Sequence, residues 1–199
     1  EEKFNTKILN FGSNYLMRIK NKKNYSIPQN DKLKIFYPSS PFKFYMTCLD
    51  EITPEENLIH KIKIAEFIEK IINEYDLEFV YKNFDSKFIN YKDDPIINYL
   101  DKYLQNGKIK ITNRKPIEIM KEFDLLLLDM VSTTFAESVS MGVPSLIFSN
   151  KFDYSILCND GKIINDKLEK NKILFYDKDV AVENFKYFIT NKKSYFSNN

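Results

Sequence analysis

Three consecutive hydroxyl residues stand where a buried apolar segment gives way to a helix. Ser132, Thr133 and Thr134 follow a run of four leucines, and they begin a helical pattern that stops at Gly142. The first turn of a helix carries unpaired backbone N–H groups and the positive end of the helix dipole, so it favours phosphate groups. The hydroxyl groups add further donors. The spacing therefore predicts an anion site at this loop.

An acidic residue lies one turn further along the same helix. Glu137 follows Thr133 by four positions, so the two side chains share one helix face. A carboxylate there can accept two hydrogen bonds from the hydroxyl groups of a ribose. The residue types also fit a simpler interpretation, in which Ser132 only caps the helix and Glu137 is only a favourable charge near its start. Both interpretations remain open at this point.

The hydroxyl loop belongs to a chain in which short apolar strands alternate with helices. Apolar runs predict strands at 33–37, 77–81, 108–112, 125–128, 143–148 and 173–176. Helical spacing predicts helices at 54–72, 95–104, 116–123, 133–141 and 180–191. The stretch between the last two strands is predicted to be less regular. The alternation indicates right-handed crossovers and a parallel sheet with helices on both faces.

Capping signals mark the ends of several predicted helices. Thr53 can cap a helix that Pro54 opens, and Glu56 completes a capping box. Gly107 supplies a typical C-terminal stop for the second helix. The apolar face of the first helix is predicted at Leu58, Ile62, Ala65, Phe67 or Ile68, and Ile71 or Ile72.

Length and composition predict one sizeable domain. The chain has 199 residues, of which 43% are apolar, enough for a buried core. Residues 1–31 are predicted to form an N-terminal helix and linker. Residues 32–199 are predicted to form a Rossmann-like α/β domain that binds a nucleotide sugar.

Polar and basic side chains follow several of the predicted strands. Ser40 and Lys43 come after the first strand and Arg114 after the third. Ligands of an open parallel sheet bind beyond the carboxyl ends of its strands. An arginine forks around phosphate in a way that lysine does not. We expect these residues to help bind a phosphorylated, hydroxyl-rich ligand, although Lys43 and Arg114 also fit an exposed surface.

Charge and hydropathy exclude two classes of partner. Lysine and arginine total 30, and aspartate and glutamate total 28. A general nucleic-acid or membrane-surface binder needs a larger positive excess on one face. No run of about 20 apolar residues occurs, so the sequence predicts no transmembrane segment. We therefore expect neither a nucleic-acid partner nor a membrane span.

Cysteine and histidine content limits metal and redox chemistry. Cys48 and Cys158 show no metal-ligand or disulfide spacing, so a reducing cytoplasm is the expected location. His60 is the single histidine, which excludes histidine-rich zinc chemistry. It is predicted to be structural or exposed, on a helix and far from the strand ends.

The segment 124–148 resembles the donor-binding segment of GT-B glycosyltransferases. The likeness is to surface and capsular polysaccharide transferases and to CDP-glycerol glycerophosphotransferase-like proteins. In that family a strand ends in Asp, a Ser-Ser or Ser-Thr loop follows, the next helix carries an acid, and Gly-x-Pro precedes another strand. The matching residues are Asp129, Ser132, Thr133, Glu137, Gly142 and Pro144.

This resemblance implies one GT-B-type lobe and a transferase activity. A sugar or a polyol phosphate would pass from a nucleotide-activated donor to a hydroxyl of a glycan or lipid-linked acceptor, in surface glycan biosynthesis. By resemblance, Ser132, Thr133 and Thr134 would meet the donor phosphates and Glu137 the ribose. A cation such as Lys43 or Arg114 would offset the leaving-group charge. The resemblance implies no cofactor and no metal.

A complete GT-B enzyme has two lobes, and 199 residues hold only one. We therefore expect a fragment without the acceptor-binding N-terminal lobe, and the catalytic residue stays unknown. Two rivals remain. A sugar-nucleotide epimerase of the same fold shares the Gly-x-Pro feature but needs further acids and usually histidines. A non-enzymatic α/β module would bind a nucleotide or a protein partner without chemistry.

Overall fold

A parallel sheet organises the part of the chain that the structure describes. The computed structural model describes residues 13–20, 32–42, 52–83, 94–152 and 157–191. Its strands are β1 (Leu33–Pro38), β2 (Leu77–Lys82), β3 (Ile109–Ile111), β4 (Leu125–Leu128), β5 (Ser145–Phe148) and β6 (Leu174–Phe175). Every residue of β4 and of β5 is buried. Strands that are covered on both faces need continuous apolar runs, which is why such runs predicted them.

All five pairings between these strands are parallel, and their order is β3-β2-β1-β4-β5-β6. This confirms the predicted α/β, Rossmann-like fold with a parallel sheet. The chain adds strands in one direction from β1 and then returns to add β4 on its other side. Such a reversal opens a crevice beyond the carboxyl ends of the two central strands.

Helices pack on both faces of the sheet. They are α1 (Asn14–Lys20), α2 (Pro54–Glu74), α3 (Pro95–Tyr99), α4 (Asp101–Gln105), α5 (Pro116–Ile119), α6 (Thr133–Met141), α7 (Asn159–Lys170) and α8 (Lys178–Thr190). Alternate side chains of β1 enter opposite halves of the core. Ile35 and Tyr37 join the cluster beneath α2, α3, α4 and α8, whereas Phe36 joins the one with α1, α5, α6 and α7. The sheet is therefore covered on both sides.

The predicted caps form as expected. The Thr53 hydroxyl accepts from the Glu56 backbone N–H, and the Glu56 carboxylate accepts from the Thr53 backbone N–H. Gly142 ends α6 with φ 75°, a left-handed conformation that glycine adopts without a Cβ clash. These signals therefore set where α2 begins and where α6 ends.

Three predicted features differ from the structure. The helix predicted at 95–104 is two short helices, because the backbone turns at Leu100. Helix α7 lies in the stretch predicted to be less regular, where polar residues dominate and Asn165 is the only buried residue of the helix. Leu58, placed on the apolar face of α2, is 38% exposed.

No helix within the described ranges is long and apolar enough to cross a membrane. The division at residue 31 stays a prediction. Cys48 and Lys43 lie outside the described residues.

Candidate functional site

A cleft of about 440 Å³ opens at the carboxyl ends of the central strands. Loops after β1, β2 and β4 form its walls, together with the first residues of α6. The polar side chains among its lining residues are Ser39, Ser40, Lys82, Asn83, Asp129, Ser132, Thr133 and Thr134. A second void, of about 10 Å³ beside Phe79 and Leu100, is lined by aliphatic and aromatic side chains inside the core. The cleft is the space in which a polar ligand can bind.

The N-terminus of α6 borders this cleft. Ser132 has extended backbone angles before the helix, and its side chain makes no capping hydrogen bond. Its carbonyl accepts from the Ala136 backbone N–H, so the helix begins normally. The Ser132 hydroxyl is thus not used for capping. The structure brings all three predicted hydroxyl residues, with Ser40, to the lining of one cleft.

Glu137 lies one turn below that lining. The side chain of this residue is nearly buried, with 9% exposure, and Glu137 is not among the residues that line the cleft. Its Oε1 accepts a hydrogen bond of 2.6 Å from the Tyr15 hydroxyl on α1. This hydrogen bond, with a smaller effect of burial, raises the pKa of Tyr15. Helix α1 therefore packs against α6 at the carboxylate predicted to bind ribose.

A buried ion pair forms the floor of the cleft. Lys61 of α2 places its Nζ 2.6 Å from Asp129 Oδ2, and the two side chains are 1% and 4% exposed. The same oxygen accepts from the Tyr37 hydroxyl at 3.0 Å and from the Ser40 hydroxyl at 2.7 Å. The Ser40 backbone N–H adds a fourth donor at 2.8 Å. Four donors, from α2, from β1 and from the loop after β1, converge on one carboxylate oxygen.

This cluster sets both a charge and a loop conformation. Burial alone would raise the pKa of Asp129, but the Lys61 ammonium and the hydrogen bonds from Lys61 and Ser40 outweigh it and lower that pKa. Lys61 also donates to the Ser39 hydroxyl and the Ser40 carbonyl. The loop after β1 is thereby held in place, and the pair contributes no net charge to the cleft.

The structure contradicts the predicted position of His60. Its Nε2 is 3.5 Å from the backbone oxygen of Asp129, at the end of β4, and its ring meets Phe148 edge-on. It was predicted to lie far from the strand ends. A helix that follows a parallel strand begins at the carboxyl edge of the sheet, so the first turns of α2 lie at that edge. Burial lowers the pKa of His60 to about 4, so the ring is neutral at neutral pH.

Arg114 lies apart from the residues that form the cleft. Its guanidinium donates two hydrogen bonds to the Glu122 carboxylate, at 3.1 and 2.9 Å. Both side chains are about half exposed, and neither lines the cleft. Lys82, at the end of β2, lines it instead. Lys43 falls in a part of the chain that is not described.

Sequence reasoning missed Lys61 as the partner of Asp129. The sequence does contain a signal for it: polar residues in the first turns of α2 occupy the same helix face as the apolar residues that follow. Asn57, His60 and Lys61 are buried and precede Ile64 at intervals of three to four residues. Because α2 begins at the ligand edge, polar residues on its inner face point toward the site rather than toward solvent.

Within the described ranges, no group of three or more histidine, cysteine, aspartate or glutamate side chains is arranged to hold a metal ion. The described polar groups at the cleft are hydroxyls, backbone N–H groups, one amide, one paired carboxylate and one lysine. This set suits hydrogen bonding to an anionic, hydroxyl-bearing ligand.

Comparison with known proteins identifies the family. No curated protein and no solved structure matches the chain significantly. A family model described as LIC12162 family transferase matches residues 1–184, a range that contains α1, the cleft and all six described strands. The chain therefore belongs to the LIC12162 family of transferases.

Proposed function

We propose that this chain is the donor-binding lobe of a GT-B-type glycosyltransferase. It would bind a nucleotide-activated sugar or polyol phosphate for transfer to a hydroxyl of a surface glycan or its lipid-linked precursor. The cleft at the reversal point of the sheet carries the proposal, because nucleotide ligands of open α/β sheets bind there. Membership of a transferase family supports the same direction.

At least one donor phosphate would bind at the start of α6. Ser132, Thr133 and Thr134 line the cleft, and the first backbone N–H groups of the helix lack intrahelical partners. A phosphate there gains both these hydrogen bonds and the favourable end of the helix dipole. Ser40 borders the same space, but its hydroxyl already donates to Asp129. Its oxygen also accepts from the Lys61 ammonium at 3.1 Å, and we therefore assign Ser40 to the wall of the site.

Glu137 would bind the ribose. A carboxylate offers about four lone-pair positions, and Tyr15 occupies one of them on Oε1. The remaining acceptor capacity is enough for a diol. Because Glu137 is nearly buried beneath α1, ribose binding requires a small displacement of that helix.

The acceptor and the catalytic base are assigned to no described residue. His60 is buried, neutral and outside the cleft lining, so we give it no proton-transfer role. Arg114 is paired with Glu122, which weakens its proposed role at the leaving group. Lys43 keeps that role only as a prediction.

Ligand-induced stabilisation tests the proposal. The melting temperature of the chain would be measured with UDP-, CDP-, CMP- and GDP-linked compounds. A matching donor at about 100 times its Kd adds about 2.7 kcal/mol to the free energy of unfolding. Glu137→Gln should reduce this gain, and Glu122→Gln, an exposed acid outside the cleft, should not. If no nucleotide stabilises the wild-type chain, the donor-lobe proposal is wrong. Equal gains in all three proteins would remove Glu137 from the site.

A further inference from the structure

The described lining of the cleft contains two charged side chains, and only one of their charges is compensated. They are Asp129 and Lys82. Asp129 is neutralised by Lys61 at 2.6 Å, in the ion pair at the cleft floor. The net charge that the described side chains present to a ligand is therefore that of Lys82. An anion is the ligand that this arrangement favours.

Lys82 has no acidic partner among the described residues. Its Nζ makes one long contact, 3.5 Å to the backbone oxygen of Asn83. The lysine on the neighbouring strand is different, because Lys110 lies 3.1 Å from Glu78. Lys82 also differs from Lys61, whose charge is neutralised by Asp129. A half-buried ammonium that borders a cleft without a carboxylate is suited to bind a ligand phosphate.

The position of Lys82 separates it from the start of α6. Lys82 ends β2, whereas α6 follows β4, and β1 lies between these strands. Two inter-strand spacings amount to about 10 Å at the backbone. The cleft thus has a cationic side chain at one side and helix N–H groups at the other. Ser39 and Ser40 lie between them, at the end of β1.

We propose that Lys82 forms a second phosphate subsite and that the donor is therefore linked through a diphosphate rather than a single phosphate. This inference rests on the proposed function, since it assumes that the first phosphate binds at α6. It narrows the donor to nucleoside diphosphate-linked compounds. Donors linked through a nucleoside monophosphate would leave Lys82 without a partner.

Inorganic anions test the subsite without any assumption about the base. Isothermal titration calorimetry would compare pyrophosphate with orthophosphate for the wild-type chain and for Lys82→Gln, Lys82→Arg and Lys167→Gln. Lys167 is an exposed residue of α7, beside the far edge of the sheet, and its substitution makes the same change in net charge. The folded state of each variant is checked by its melting temperature.

We expect Lys82→Gln to weaken pyrophosphate binding at least about tenfold, with little change in orthophosphate binding. Lys82→Arg should keep much of the affinity, and Lys167→Gln all of it. Unchanged pyrophosphate binding in Lys82→Gln would overturn the subsite while leaving the donor lobe intact. A wild-type chain that binds nucleoside monophosphates as tightly as diphosphates would do the same. If wild type binds no nucleotide and no pyrophosphate, the proposed function fails, and the subsite with it.

Discussion

Two carboxylates near the cleft, Asp129 and Glu137, have almost the same exposure and very different surroundings. Asp129 is 5% exposed and Glu137 is 9% exposed. Asp129 accepts four hydrogen bonds on one oxygen, one of them from the buried ammonium of Lys61. Among the described residues, Glu137 accepts one, from the half-exposed Tyr15.

The difference shows that burial alone does not define the role of an acid. A buried charge with a dedicated counter-charge is part of the folded structure, because removing either partner leaves the other unpaired. A carboxylate that accepts from a half-exposed phenol can exchange that partner for a ligand hydroxyl without leaving a buried charge unpaired. The cluster around Asp129 therefore shapes the cleft, whereas Glu137 is the acid that is free to change partners.

The largest expected effect comes from breaking the buried pair. Lys61→Met leaves the Asp129 carboxylate without its counter-charge, and such a change typically costs about 3–5 kcal/mol. The loss would be measured as the free energy of unfolding in urea. Combining Lys61→Met with Asp129→Asn should destabilise the protein by less than the sum of the two single changes, because neither charge is then left alone.

An exposed ion pair supplies the control. Arg114→Met removes the partner of Glu122, and both side chains are about half exposed, so the loss should stay within about 1 kcal/mol. Equal losses for Lys61→Met and Arg114→Met would show that the buried pair adds nothing beyond a surface contact.

The second largest effect is a dependence of stability on pH. It arises at His60, whose ring contacts the backbone oxygen of Asp129. Its pKa falls from about 6.5 in the unfolded chain to about 4 in the folded one, mainly through burial. Between these values the unfolded state binds the extra proton, so stability decreases as pH falls. Between about pH 7 and about pH 5, protonation of this histidine in the unfolded state lowers the free energy of unfolding by about 2 kcal/mol.

Urea unfolding at these two pH values would measure the effect. His60→Gln keeps a polar side chain without titrating in this range, so its stability should change less with pH than that of wild type. Asp129 contributes separately and lower, since its lowered pKa removes stability only below about pH 4. Parallel pH profiles for wild type and His60→Gln would contradict the neutral, buried histidine.

The smallest effect is expected at Tyr15. Tyr15→Phe removes the hydrogen bond from α1 to Glu137, but Tyr15 is 50% exposed and water can replace the donor. The free energy of unfolding should therefore fall much less than in Lys61→Met, with Tyr99→Phe as a control for an exposed tyrosine that donates to Glu69. A loss comparable to that of Lys61→Met would mean that both acids are structural.

Much of the fold is predictable from patterns within short stretches of the chain. The strict alternation of strands and helices predicted the parallel sheet, and the four-leucine run predicted β4 with its correct ends. Helix α6 also has its predicted ends: the extended backbone of Ser132 precedes it, and Gly142 ends it in the left-handed conformation. Helix α7 escaped prediction because its stripe of apolar residues is thin and its surface is polar.

The hydroxyl loop of the candidate site was predictable for the same reason. It lies directly after a strand that the sequence identifies, and the carboxyl edge of a parallel sheet is where ligands bind. The predicted strand β4 and helix α6 were enough to place this loop at the lining of the cleft. Whether the loop binds phosphate remains a proposal.

The sequence by itself thus determined the strands, both ends of α6, the starts of α2, α3 and α5, and the edge at which the cleft opens. Only the tertiary structure decided which charged side chains pair with each other near the cleft. Lys61 meets Asp129 across 68 positions of the chain, and Tyr15 meets Glu137 across 122. Helical spacing can place Lys61 on the inner face of α2, but local patterns cannot report which distant residue it meets there. Packing α2 and α1 against the sheet decided which carboxylate was neutralised and which kept an exchangeable partner.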